Sequence, residues 1–578
     1  MASIKVGKLE IDPARNPAVL DTTTWDAKEA WREVLTEKTV FWQQAADGYP
    51  NEDLHGEGCT LFTGSQGLSN GDTVFLASLR DGQDLFIQIG NQVDSSVLGN
   101  PIGVAPVDEK TRLAAFPCDM FTLDRYLRLV NPEKAPRAMG SVPRLGIGNR
   151  HTVAMWPAIY RAMEKGNFAA NAIQNSLREL NLLSDLKDGT PAHQNYLFSF
   201  GTITEGHTGS TFEGLLHAGV VAALKQPTFP RYGADADHIQ VKRGPEGLDR
   251  AKRVIDSSRY FTFFTLDVSD VLDYAAVVTA IDSDASTFLE TLLDRPGERK
   301  DIIAYHSRTR KVGGITYKFS EAQIGRFVGK YWKALAAVGT LCEHLKTLKG
   351  EVPFDVELSI DENPPEVPTC DCITEPEELI FLTEEVIRRH LPITHVAPNF
   401  GVEKGTDYRC PDGTDGLGAR LRTLARIALE FNLMLDCHSG DDLGKATRQL
   451  IGRATKGRIN FKVSPQQQIL FAETLYAVQP DLFTYWWDDV CRFVEGEAVS
   501  GSKFAAKCMA DLRHDPAPHP SKDIFHYYCY VPVGRRDDRG QFVNREVLYG
   551  LTREFLSEFT DRFEAWLLEI ADDVYGGS

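Results

Sequence analysis

The chain has 578 residues, 42% hydrophobic and 25% charged, a balance that excludes a disordered or fibrous protein and exceeds the length of one ordinary domain. Its 81 acidic against 63 basic residues give a net charge of -18 with no long basic run, which argues against a nucleic-acid partner. The first residues, Met1-Ala-Ser-Ile-Lys-Val-Gly-Lys, lack an apolar signal core, and no window reaches the roughly 18–20 apolar residues of a membrane span, so a cytoplasmic protein is expected.

Residues 1–140 read as an accessory α+β region: a helical stretch from Trp25 to Trp42, then a hairpin of Thr73–Leu79 and Leu85–Ile89 turned by Asp81-Gly82. Pro132 to Pro143 reads as the linker. Strand-like runs follow at 144–150, 231–239, 260–268, 354–361, 393–400, 432–438, 459–463 and 525–531. Amphipathic helices separate several of them. Thr374-x-x-Glu377 and Ser320-x-x-Gln323 are capping boxes, and Leu421, Leu424, Ala428 and Phe431 form one apolar stripe. Strands separated by helices pair in parallel, so residues 141–578 are expected to form a (β/α)8 TIM-type barrel, the long insertions at about 152–230 and 271–353 roofing its site.

Ten scattered cysteines predict reduced thiols; Cys370, Cys372 and Cys410 are the one cluster, and they match paired zinc ligands poorly.

In such a barrel the reacting groups gather at the carboxyl ends of the strands. His238 and His438 each follow a buried-strand run and stand beside carboxylates, in Asp235-Ala-Asp237-His238 and His438-Ser-Gly-Asp-Asp442, which suits metal ligation. Other histidines, such as His55, His344, His390 and His514, read as packed or surface residues. A carboxylate is needed beside the two imidazoles; Glu403 in Asn399-Phe-Gly-Val-Glu-Lys-Gly is the best placed, with Asn399 and His395 in reserve. Its bland reading is a solvated charge beside Lys404. Glu357, flanked by Val356 and Leu358, alternates into the barrel, where Lys462 is its natural structural partner. Leu145-Gly-Ile-Gly148 has His151 where a dinucleotide fingerprint carries its third small residue, so no NAD is expected.

Tyr232–His238, Phe263–Asp270, Glu357–Glu362, Glu403–Tyr408 and His438–Asp441, in this order, resemble the tagaturonate/fructuronate epimerase family over roughly residues 140–480. The resemblance implies a metal-dependent epimerase of keto-hexuronates, or of the neutral ketoses tagatose and fructose, using Zn, Mn, Co or Ni. It makes Asp237 the proton acceptor, Glu357 the proton donor, and His238, Glu403 and His438 the metal ligands. The chain departs from the family at Asn399, where an arginine is expected, and at Asn460-Phe-Lys462, where His-x-Lys is expected. The missing arginine removes a partner for a uronate carboxylate and keeps a neutral ketose open beside the keto-hexuronates.

The inverted carbon carries a hydroxyl β to the ketone, so its hydrogen is not acidic and enolisation cannot invert it. Retro-aldol cleavage, a turn of the aldehyde and re-addition can, given a divalent cation to polarise the carbonyl and two acid/base groups. Asp237 and Glu357 fit those roles, and Arg150, Asp267 and Lys462 are candidates to orient the substrate. Three alternatives stay open. They are a class II type aldolase, a glycoside hydrolase on Glu205 and Glu357, and a non-catalytic sugar-binding protein using Trp486 and Trp487, whose bland reading is core. The partner is expected to be a small keto sugar or keto-uronate, with no membrane, and a homo-oligomer is possible.

Overall fold

The computed structural model describes residues 4–6, 9–11, 24–47, 52–197, 201–362, 367–403, 405–529, 533–537, 539–545 and 550–576. Eight parallel strands close a barrel: β1 (Arg144–Gly148), β2 (Ala169–Asn175), β3 (Tyr232–Gln240), β4 (Phe263–Asp267), β5 (Asp355–Ser359), β6 (His395–Ala397), β7 (Met434–Cys437) and β8 (Ile459–Val463). β8 pairs back onto β1 through Asn460↔Arg144 and Lys462↔Gly146, so no edge is left open.

Two of the strand expectations need correction. The run 525–531 is not a strand: Asp523–Tyr528 is a helix, and 530–531 lie outside the described residues. Its aromatic residues suggest β structure, but Phe525 is taken up by a helical core, stacked on Trp487 at 5.8 Å. The barrel strand missing from the sequence reading is β2, Ala-Ala-Asn-Ala-Ile-Gln-Asn, which stands inside the stretch read as an insertion. With one β-branched residue it has little strand propensity of its own; pairing on both sides with β1 and β3 imposes the conformation.

Of the two long connections, the one after β2 brings Ser176, Arg178, Glu179 and His207 to the mouth of the barrel. Residues 268–354 do not roof it, because they are dominated by the 29-residue helix Glu321–Lys349, which packs on the barrel's outside. That helix starts at the capping box of Ser320 and Gln323. The other box is shifted by one residue: Glu375 caps and Glu378 reciprocates, because the Thr374 hydroxyl is taken by the Asn399 backbone N–H at 3.0 Å.

Ahead of the barrel, helices Ala27–Val34 and Thr39–Ala46 lie on an antiparallel sheet of six strands between Leu54 and Pro117. Successive side chains face opposite ways. Phe75, Ala77, Leu85 and Ile87 pack with those helices, while Val74, Leu76 and Phe86 join the main core that runs into the barrel. The run 132–143 binds the barrel floor, where Met139 and Gly140 donate backbone N–H groups to Asp355, itself paired with the fully buried Arg144 at 3.2 Å. The closing helix Arg553–Tyr575 is locked on by Arg448 to Asp573 at 2.7 Å.

The cysteines are not all reduced: Cys370 and Cys410 form a disulfide, while Cys372 beside them is free and buried. The two half-cystines are 40 residues apart in sequence and are brought together by the loops after β5 and β6, a proximity that only the barrel creates.

Candidate active site

The barrel interior is charged where an ordinary barrel is apolar. Asp235 on β3, Glu357 on β5 and Asp436 on β7 are fully buried, and Lys462 on β8 reaches between them. Its ammonium lies 2.7 Å from Glu357, 2.9 Å from Asp237 and 3.2 Å from Asp235, and donates to Thr265 at 2.8 Å. Space for this lysine comes from Gly146 on the neighbouring strand, where an added Cβ would stand 2.8 Å from Lys462 Cγ and collide with Gln174. Burial opposes ionisation of Glu357, but Lys462 and His438 outweigh it and hold the carboxyl well below its ordinary range. Asp235 has the opposite balance: burial, with Asp237 and Glu357 nearby, pushes it up to about 7. Asp436, buried beside Glu357, is also raised. The lysine is raised by the carboxylates despite its burial.

Above this layer, β3 ends in a bulge: the pairing with β4 shifts between Ala236 and Ile239, and His238 takes a left-handed backbone, φ 44°. The extra residue lets neighbouring side chains serve one mouth, so both Asp237 and His238 line the pocket. Ser439, following the other histidine, is also left-handed at φ 55°. Such backbone gathers at sites where a side chain must be aimed.

The two imidazoles meet edge to face, centroids 4.7 Å apart. His238 Nδ1 is 3.3 Å from Asp267, and His438 lies between Glu357 at Nε2, 2.7 Å, and Asp361 at Nδ1, 3.0 Å. Burial disfavours the His438 cation, yet Asp361 and Glu357 raise it well above the ordinary histidine range. Asp237 is ionised against its burial by Lys462 and both histidines. One donor atom from each of Asp237, His238 and His438 lies within 4.8 Å of the others, and His238, Asp267 and Glu362 form a second such group. Two imidazoles and a carboxylate suit a borderline divalent ion, and the carboxylates behind each ring fix its orientation.

These groups open on a pocket of about 180 Å³, lined also by Arg150, Gln174, Arg178, Glu179, Lys462 and Tyr527.

The family model described as UxaE, tagaturonate epimerase, matches residues 203–498, the stretch that carries β3 to β8 and both histidines. The chain belongs to the tagaturonate epimerase family. It is therefore an epimerase, an isomerase by class. Its fold is similar to that of the fructuronate-tagaturonate epimerase from Cohnella laeviribosi. The native structure of that protein is 21% identical, with 89% of this chain and 96% of that one aligned at a TM-score of 0.63. Its complex with two glycerol molecules is likewise 21% identical, with coverages of 90% and 97% and a TM-score of 0.65. No curated protein matches by sequence. Among the described residues no helix is long and apolar enough to cross a membrane.

Of the residues singled out from the sequence, Asp237, His238, His438, Lys462 and Arg150 share the epimerase pocket. Asp267 stands behind His238 and orients it, accepting also from Gln240 at 3.1 Å. Glu357 lies beneath, reached through Lys462 and His438. Glu403 is not among the converging donors; it is paired with Arg409 at 2.6 Å. His395 is buried with Nδ1 on Thr394 at 2.8 Å, and Asn399 accepts from Gly401 at 2.7 Å. Glu205 is held by Arg250, and Trp486 and Trp487 are buried in the helical core.

Sequence reasoning passed over Gln174, Arg178, His207 and the buried acids Asp235 and Asp436. Gln174 and Arg178 went with the unrecognised β2. Asp235 was within reach, since it alternates with Asp237 on one face of β3.

Proposed function

We propose that this epimerase interconverts tagaturonate and fructuronate by retro-aldol cleavage and re-addition, with a divalent cation held by Asp237, His238 and His438. The convergence of those three donor groups at the pocket carries the proposal. Asp361 and Glu357 favour a positive charge at His438, a charge that a cation would take over. Asp237 takes the third place that the sequence reading gave to Glu403. When bound, the cation supplies Lewis-acid polarisation of the substrate carbonyl.

The chain's own residues move the protons. Asp237, ionised and in the pocket wall, takes the proton from the hydroxyl on the carbon to be inverted. The bond between that carbon and its neighbour next to the ketone breaks, the resulting aldehyde turns its other face, and the bond re-forms. Lys462 lines the pocket and is backed by Glu357, so it returns a proton to the new alkoxide. Its contact of 2.9 Å to Asp237 lets the proton gained by Asp237 pass back to the lysine, so both groups end the cycle as they began it. No redox cofactor enters this balance, and atoms are conserved without one.

Residues 1–140 supply none of these groups, which supports reading them as accessory to a catalytic barrel of 141–578. The net charge of -18 argues against a nucleic-acid partner. Proton NMR of tagaturonate and fructuronate, fructose and tagatose, with chelator-stripped protein and with Mn, Co, Ni or Zn restored, tests the reading. Metal-dependent appearance of the epimer is expected; no turnover under any metal sinks it.

A further inference from the structure

The cations of the pocket are not equally committed. Lys462 is held by its three carboxylates. Arg150 gives one nitrogen to Asn175 at 2.7 Å and to Glu179 at 2.8 Å, and Glu179, against its burial, is held down to about 2 by Arg150 and Arg178. Arg178 differs. Its side chain is 12% exposed and lies among Glu362 at 3.7 Å, Glu179, Asp267 and Asp237, yet its buried Nε has no hydrogen-bond partner. A guanidinium carries five donors in a planar fork, and shielding them from water without acceptors is costly unless an anion completes the site.

The backbone holds this fork in place. Arg178 N–H donates to Ser176 Oγ at 3.2 Å, and its carbonyl accepts from Gly206 N–H at 3.0 Å, so the turn after β2 is tied to the returning loop. Arg178 lies in the same pocket wall as Asp237 and His238, and with His238 it also lines an adjoining cavity of about 40 Å³. Of the other basic groups nearby, Arg250 is bound to Glu205, burial pushes His207 down to about 4, and Lys242, which lines the small cavity, stands exposed to solvent. Asn399, the position from which an arginine was expected, is turned into its own loop.

We infer that Arg178 seats the carboxylate of the sugar acid and so sets the preference for a uronate over a neutral ketose, an inference that rests on the proposed epimerase activity. A planar fork matches a carboxylate's two oxygens, and a pinned one loses little freedom on binding.

Kinetics of R178M and R178K on tagaturonate test it, beside Co(II) titration of each protein. R178M is expected to raise KM about 100-fold, the range of a lost charged hydrogen-bond pair, with kcat within about threefold. R178K should recover part of the loss, because it keeps the charge without the fork. Co(II) affinity should stay within about twofold of wild type, since no expected ligand is touched. An unchanged KM, or a fall in Co(II) affinity that accounts for the lost activity, overturns the inference and leaves Arg178 a support for Glu362. A wild-type enzyme that fails to turn over tagaturonate refutes the parent reading instead, and that control is read first.

Discussion

Replacing Lys462 by methionine keeps the side chain's length and removes the charge on which the barrel interior depends. The lysine is 3% exposed and stands within 3.2 Å of Asp235, Asp237 and Glu357. Removing one partner of a buried ion pair costs about 3–5 kcal/mol, and here three carboxylates lose the same cation, which points to the upper end. The loss depends on pH. In the wild type, Glu357 and Asp237 titrate below their ordinary values, so the stability they contribute is present above those values and lost as pH falls. In K462M, burial and mutual repulsion push the same groups above their unfolded values, so folding is penalised as pH rises, by about 1.4 kcal/mol per unit for each group forced to ionise. Urea denaturation of chelator-stripped proteins should therefore show a deficit of about 4–5 kcal/mol at pH 8, falling to about 2 kcal/mol at pH 5. A deficit equal at both pH values, or below about 1 kcal/mol at pH 8, would refute the assignment of Lys462 as the counter-charge of the interior.

Two further predictions concern parts of the chain away from the pocket. Glu213, in the first turn of helix Phe212–Leu224, buries one carboxylate oxygen without a partner, and burial raises its pKa to about 7. The folded state thus holds a proton that the unfolded chain releases near pH 4.5, and stability is lost as pH rises between the two values. E213Q should stabilise the protein at pH 8 by about 1–3 kcal/mol and change little at pH 4.5, read as the shift in denaturation midpoint at each pH. The Cys370–Cys410 bond closes a separation of 40 residues; C410S, or reduction of the wild type, should lower stability by about 2–4 kcal/mol, and a midpoint indifferent to reductant would contradict it.

The arrangement explains why a barrel interior tolerates so many charges. Each carboxylate is close to Lys462, His438 or a polar strand neighbour such as Thr265 or Asn460, which donates to Asp436 at 2.7 Å. Acids raised toward neutrality, Asp235 and Asp436, lie beside acids held ionised, Asp237 and Glu357. Groups driven apart in this way are suited to pass protons at one pH.

Strand periodicity and the acids and histidines at strand ends were legible without tertiary information. The barrel follows from strands alternating with capped helices, and His238 and His438 stand out because each ends a buried run beside carboxylates. Such features are local, and local sequence carries them. Four things were decided by tertiary contact alone. β2 is a strand because two neighbours pair with it, although its own residues favour no such state, and Phe525 is helical because tryptophans pack on it. Cys370 meets Cys410 because two loops close over one rim. Glu403 pairs with Arg409 while Asp237 joins the two histidines, since a bulge in β3, and not the order of residues along the chain, determines which carboxylate faces the pocket.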